Sequence, residues 1–193
     1  MIKVIAFDYN GVISAFGPIK KWMDTNISKD EEKYLIYKKS APKWDRGEIE
    51  LREMYEILST ITGVKAEKIW SEYFEKQILN EGMIELVNKL KLNYKIFLFS
   101  NHQGELLQKL LKKHGIKNLF DEIIVSSDHM LIKPNPIFFE VLVKTAGVNK
   151  DEILFIDDSI ENVEGGINFG IKSILYKNTK NLEDDLEKMG LSF

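Results

Sequence analysis

Asp8 with Asn10, Ser100 with Asn101, Lys133, and Asp157 with Asp158 are the residues of this 193-residue chain whose types and spacing suit chemistry. Apolar runs lead into three of the groups: Val4–Phe7 before Asp8, YKIFLF before Ser100, and ILFI before Asp157. Strands of that kind in an open α/β sheet present whatever follows them to a ligand. Three carboxylates brought close together repel unless a cation neutralises them, and hard oxygen ligands select Mg²⁺. A lysine and a hydroxyl beside them supply donors for a phosphoryl group. A carboxylate that attacks phosphorus in such a site forms an aspartyl-phosphate, which water later cleaves. Each residue also has a plain structural reading. Asp8 suits a turn, Ser100 and Asn101 suit a helix cap, Lys133 a solvated loop, and Asp157–Asp158 the start of a helix.

Continuous apolar runs argue for parallel strands buried on both faces. From Glu81 onward, strands and helices alternate, which signals βαβ units. The pattern predicts a helix over 83–91, a strand over 94–99, a helix over 103–114 closed by Gly115, and a strand over 122–126. It continues with a helix opened by Asn135–Pro136 and closed by Gly147, a strand over 153–156, a helix to Phe169, a strand over 171–176 and a helix over 182–189. Between about 15 and 80 the apolar residues recur at helical spacing with no convincing strand, so this stretch is predicted to be an all-helical insertion. Ser28–Glu31 reads as a capping box within it, and Pro42–Gly47 as an interrupting loop. That loop holds Lys43, Trp44 and Arg46, one of only two arginines in the chain, and is a candidate substrate-facing tip. The expected fold is a doubly wound parallel α/β core, residues 1–14 and 81–193, with a small helical cap over 15–80.

Composition narrows the partners. A formal net charge of -3 and 30% charged residues give no basic face for nucleic acid or anionic membrane. No apolar stretch has membrane-spanning length, and the N-terminus enters a strand without a signal-peptide pattern. The chain has no cysteine, which removes disulfide and thiolate chemistry. A cytoplasmic location is expected, and nothing in the sequence sets an oligomeric state.

FDYNGV, LFSN, IKPNP and FIDDSIENVEGGINFG, in that order, resemble the four motifs of the haloacid dehalogenase-like superfamily, and the insertion after the first strand resembles its helical cap. WDRGEI and DDSIENVEGG are similar to stretches of its bacterial sugar-phosphate phosphatases. The resemblance implies a Rossmann-like core and phosphomonoester hydrolysis, with small sugar phosphates favoured. It makes Asp8 the nucleophile, Ser100 and Asn101 part of the phosphate site, and Lys133 the group that neutralises phosphate and orients Asp8. Mg²⁺ would be held by Asp8, the Asn10 backbone carbonyl, Asp157 and Asp158. One residue departs from the pattern: these phosphatases usually place an aspartate at position 10, where it protonates the leaving oxygen. An amide cannot shuttle that proton, and losing a general acid/base typically costs about 10²- to 10⁴-fold. The substitute would be His102 or a residue of the cap. An impaired phosphate-binding or regulatory protein is the alternative, with a dehalogenase behind it.

Overall fold

The structure is a computed structural model that describes residues 1–15, 17–27 and 29–193, with backbone only for 17–20. The first part of the chain comprises β1 (Val4–Phe7), β2 (Ser14–Ala15), α1 (Gly17–Asn26), α2 (Glu31–Asp45), α3 (Leu51–Thr62), α4 (Ala66–Ile69) and β3 (Ile78–Leu79). There follow α5 (Glu81–Leu90), β4 (Lys95–Ser100), α6 (Gly104–His114), β5 (Glu122–Val125), α7 (Pro136–Ala146), β6 (Ile153–Asp157), α8 (Ile160–Phe169), β7 (Lys172–Leu175) and α9 (Thr179–Lys188). The five longer strands form one sheet in the order β5-β4-β1-β6-β7, and every adjacent pair is parallel.

β1 sits at the centre of the sheet, and Val4, Ile5, Ala6 and Phe7 are all fully buried. Ile5 and Phe7 face one core and Val4 and Ala6 the other, so no polar residue could alternate into this run. The second core is aromatic, packing Phe97, Phe99 and Phe155 of the sheet against Phe138 and Phe139 of α7. A Cβ on Gly165 of α8 would lie 2.5 Å from the Pro134 Cβ and 3.3 Å from the Pro134 Cα, beside Lys133. The rigid proline cannot give way, so a Gly165→Val variant should lose about 1–3 kcal/mol by overpacking, read as a lower urea midpoint with an unchanged slope.

Several expectations are corrected in detail. The insertion is not wholly helical, because β2 and β3 pair antiparallel at its neck, Ser14 with Leu79 and Ala15 with Ile78. Two residues per strand leave no alternation to detect. The predicted loop at Pro42–Gly47 begins later: Pro42–Asp45 form the last turn of α2, and the turn proper is Arg46–Gly47. A proline suggests a break because it removes one N–H, yet the Arg46 N–H still donates to the Pro42 carbonyl at 3.1 Å. In the predicted capping box, Ser28 lies outside the described residues, and Asp30 caps α2 by accepting from the Lys33 N–H at 3.1 Å. In the core, Gly115, Gly147 and Gly170 close their helices in the left-handed conformation, and Asn135 caps α7 with Pro136 in its first turn, as the pattern predicts.

Candidate active site

The parallel sheet gathers the polar residues at the carboxyl ends of its strands. Asp8 directly follows β1 and continues the ladder through its N–H to the Ile156 carbonyl, while Ser100 ends β4 and Asp157 ends β6. Lys133 reaches in from the β5–α7 connection. Its backbone is clamped by Asn101, whose Oδ1 accepts from the Lys133 N–H at 2.8 Å and whose Nδ2 donates to the Lys133 carbonyl at 3.0 Å.

The Lys133 ammonium has no solvent exposure. It donates to Asp8 Oδ1 at 2.9 Å, to Asp157 Oδ2 at 2.6 Å and to the Phe99 carbonyl at 2.8 Å, so all three donors are used. The Phe99 and Phe155 rings flank it at 5.4 and 5.1 Å. Asp157 is oriented in turn: Oδ1 accepts from the Ser159 N–H, and Asn162 Nδ2 donates to both oxygens at 3.1 Å. Asp158 is exposed at the mouth, and one oxygen from each of Asp8, Asp157 and Asp158 lies within 4.8 Å of the others. Opposed ligands of an octahedral Mg²⁺ stand about 4.2 Å apart, so a small inward adjustment would let this group hold a hard cation.

The electrostatics point the same way. Three carboxylates and one ammonium leave two negative charges, the charge a divalent cation balances. Burial pushes the Asp8 carboxyl up, Lys133 pulls it down and Asp157 pushes it up again, with a net rise. Burial, then Asp8 and Asp157, raise Asp158 to about 6. Burial alone would lower Lys133, but its two carboxylates outweigh that and keep it charged. The buried Ser100 hydroxyl lies against Asp8 closely enough to favour its charged form, yet no partner meets good hydrogen-bond geometry. A phosphoryl oxygen would supply one.

Beside this cluster a cavity of about 160 Å³ opens between the sheet and the helical insertion. Tyr37, Trp44, Tyr73 and Phe74 form its aromatic wall, and Asn10, Asp45, Gln77, Asn101 and His102 its polar lining. Trp44 Nε1 and Gln77 Oε1 are buried without a hydrogen-bond partner. The structure thus brings Asp8, Asn101, Lys133, Asp157 and Asp158 together, with Ser100 against Asp8 and Asn10 beside the cavity. Of the candidate specificity residues only Trp44 lines the cavity; Lys43 is exposed, and the Arg46 Nε holds Glu48. His129 is exposed, and His114 is half-buried at the end of α6. Sequence reasoning missed Asn162, Asp45 and Gln77. Asn162 stands five residues after Asp157, inside the DDSIENVEGG stretch from which only the two aspartates were taken, and Asp45 lies between the two residues taken from WDRG. Gln77 carried no signal, since its role depends on the neck pairing of β2 with β3.

This arrangement defines a doubly wound α/β enzyme with an acid–lysine cluster at the carboxyl edge of its sheet. The chain belongs to the haloacid dehalogenase-like hydrolase family, whose sequence model matches residues 28–176. Among its relatives, a sesquiterpene phosphatase of Aspergillus oryzae is 26% identical over 165 residues, 83% of either chain. A pyrimidine 5'-nucleotidase of Escherichia coli is 30% identical over 92 residues, 47% of this chain and 41% of the relative. The fold matches that of a Bacteroides thetaiotaomicron enzyme of the same family solved with magnesium and inorganic phosphate, with a TM-score of 0.75, 22% identity, and 92% and 96% of the two chains covered. It also matches an L-2-haloacid dehalogenase of Xanthobacter autotrophicus with chloropropionic acid covalently bound, with a TM-score of 0.68, 17% identity, and 100% and 85% covered. No helix among the described residues is long and apolar enough to cross a membrane.

Proposed function

We propose that this chain is a Mg²⁺-dependent phosphomonoester hydrolase that acts on small phosphorylated metabolites, sugar phosphates first among them, through an aspartyl-phosphate on Asp8. The observation that carries the reading is the fully buried Lys133 ammonium shared by Asp8 and Asp157, with Asp158 completing a three-carboxylate group. A dehalogenase has no need of that excess negative charge, which suits a divalent cation. The ion would be held by Asp8, Asp157, Asp158 and the Asn10 backbone carbonyl, and would supply charge neutralisation for the phosphoryl oxygens.

The protein's own groups do the rest. Lys133 engages Asp8 Oδ1, which leaves Oδ2 to meet phosphorus. The Ser100 hydroxyl holds a phosphoryl oxygen, Lys133 neutralises charge from behind Asp8, and Asn101 fixes the lysine-bearing loop. The leaving group occupies the cavity under the insertion, which acts as a cap over the core, and the small volume favours compact substrates over long chains. Trp44 Nε1 seeks an acceptor and Gln77 Oε1 a donor, and a hydroxylated leaving group offers both. We place the protein in the cytoplasm, where such metabolites occur.

Phosphate release from a panel of sugar phosphates, short prenyl phosphates and nucleoside monophosphates, with Mg²⁺ and with chelator, tests the reading. Mg²⁺-dependent turnover that favours the sugar phosphates is the expected result. Binding of a phosphate analogue without turnover would support the alternative that Asn10 suggests, a phosphate-binding protein on the same fold. Trp44→Phe should raise KM for hydroxylated substrates about 3- to 10-fold, the worth of one hydrogen bond. Arg46 would have to release Glu48 to receive a second anionic group. An Arg46→Ala variant that ranks a panel containing bisphosphates as the parent does would remove it from that role.

A further inference from the structure

We propose that Asp45, at the end of α2, is the acid–base residue of this site, taking the part that Asn10 cannot play. The inference rests on the phosphatase reading above. Asp45 lines the same cavity as Asn10, Asn101 and His102, on the wall contributed by the insertion. Its position is fixed by the core: the Ser126 hydroxyl donates to the Asp45 carbonyl and accepts from the His102 N–H at 2.9 Å. The next turn is docked as closely. Gly47 has φ +73, and a Cβ there would fall 2.8 Å from the Ser127 carbonyl oxygen. The end of α2 is thus pinned to the loop that follows β5, and Asp45 is held there without a hydrogen-bonded partner for its carboxyl among those described.

The competing groups fit the task less well. His102 is buried and held neutral, its pKa lowered to about 4, with Nδ1 donating to the Gln103 carbonyl at 2.9 Å; it has no proton to give at neutral pH. Tyr37 and Tyr73 are hydrogen-bonded to each other and raised by burial, which makes them weaker acids. Asp45 is raised to about 7, by burial first and then by Asp8, against the opposing charges of Lys133 and Arg46. Both of its forms are therefore populated near neutrality, as a residue that gives and then takes a proton requires.

In the first step an Asp8 oxygen bonds to phosphorus as the bond from phosphorus to the leaving oxygen breaks, and that oxygen takes the Asp45 proton. In the second, the Asp45 carboxylate takes a proton from water as the water oxygen attacks phosphorus. The bond to Asp8 breaks, inorganic phosphate forms, and both aspartates return to their starting states.

The test compares the parent, Asp45→Asn, Asn10→Asp and the double variant on a sugar phosphate and on p-nitrophenyl phosphate, whose leaving group departs without a proton. Asp45→Asn should lower kcat/KM for the sugar phosphate about 10²- to 10⁴-fold while keeping a first-turnover burst of p-nitrophenolate. The alkaline fall in kcat/KM near pH 7 should disappear with it, because leaving-group protonation needs the acid form. Asn10→Asp in the Asp45→Asn background should restore turnover, which a merely structural role for Asp45 would not allow. The fold should not suffer: a carboxyl whose folded pKa is raised loses stability as pH rises, and the amide avoids that loss. A single variant within about threefold of the parent, or a double variant as slow as the single, overturns the proposal. A parent that neither releases phosphate nor carries it on Asp8 overturns the phosphatase reading as well.

Discussion

Lys133→Met should unfold at a urea midpoint corresponding to a loss of about 3–5 kcal/mol, the cost of leaving buried charges without their partner. The ammonium is the only cation within hydrogen-bond reach of Asp8 and Asp157 among the described residues, and it is wholly buried. Its removal also has a signed pH dependence. Without its counter-charge, the buried Asp8 carboxyl, already raised by burial, has a folded pKa still further above its unfolded one. Stability is then fully present below the unfolded carboxylate range and is lost as pH rises through the folded value, so the deficit relative to the parent should be larger near pH 8 than near pH 4. A deficit that is small and independent of pH would mean that Lys133 is a peripheral residue. Turnover should fall with stability, since the same ammonium orients Asp8 Oδ1.

Asp8→Asn should have the largest effect on activity, a loss of about 10⁴-fold or more in kcat, as expected when a nucleophile is removed from a covalent mechanism. The amide is nearly isosteric and keeps a hydrogen-bond acceptor for Lys133, so the thermal transition should move much less than in Lys133→Met. Retention of turnover would assign the attack to another group. A variant that loses activity only together with its fold would leave Asp8 a structural residue.

The sheet was legible because its strands are buried on both faces: VIAF and ILFI admit no polar residue, and the glycine helix closures announce themselves at Gly115, Gly147 and Gly170. The acids were legible because each follows such a run. What local pattern could not carry was contact across the chain. Asn162 lies inside the DDSIENVEGG stretch, yet nothing local to it says that it holds Asp157 through two bonds. Asp45 stood beside the tryptophan that was singled out, but its significance comes from Ser126, 81 residues away, which pins the end of α2 to the core. The neck pairing of β2 with β3 joins residues more than sixty positions apart with two residues a side, too short for periodicity to register. Pro42 misled for a physical reason, since the helix tolerates the one bond it removes and runs on to Asp45.

The most direct test of the central claim is the mass of the chain after a brief reaction with a phosphorylated substrate and Mg²⁺, quenched in acid and mapped by peptide. The account predicts one added phosphoryl group, on the peptide containing Asp8, that is absent with chelator and absent in Asp8→Asn. Turnover without label on that peptide, or label on another residue, would contradict it.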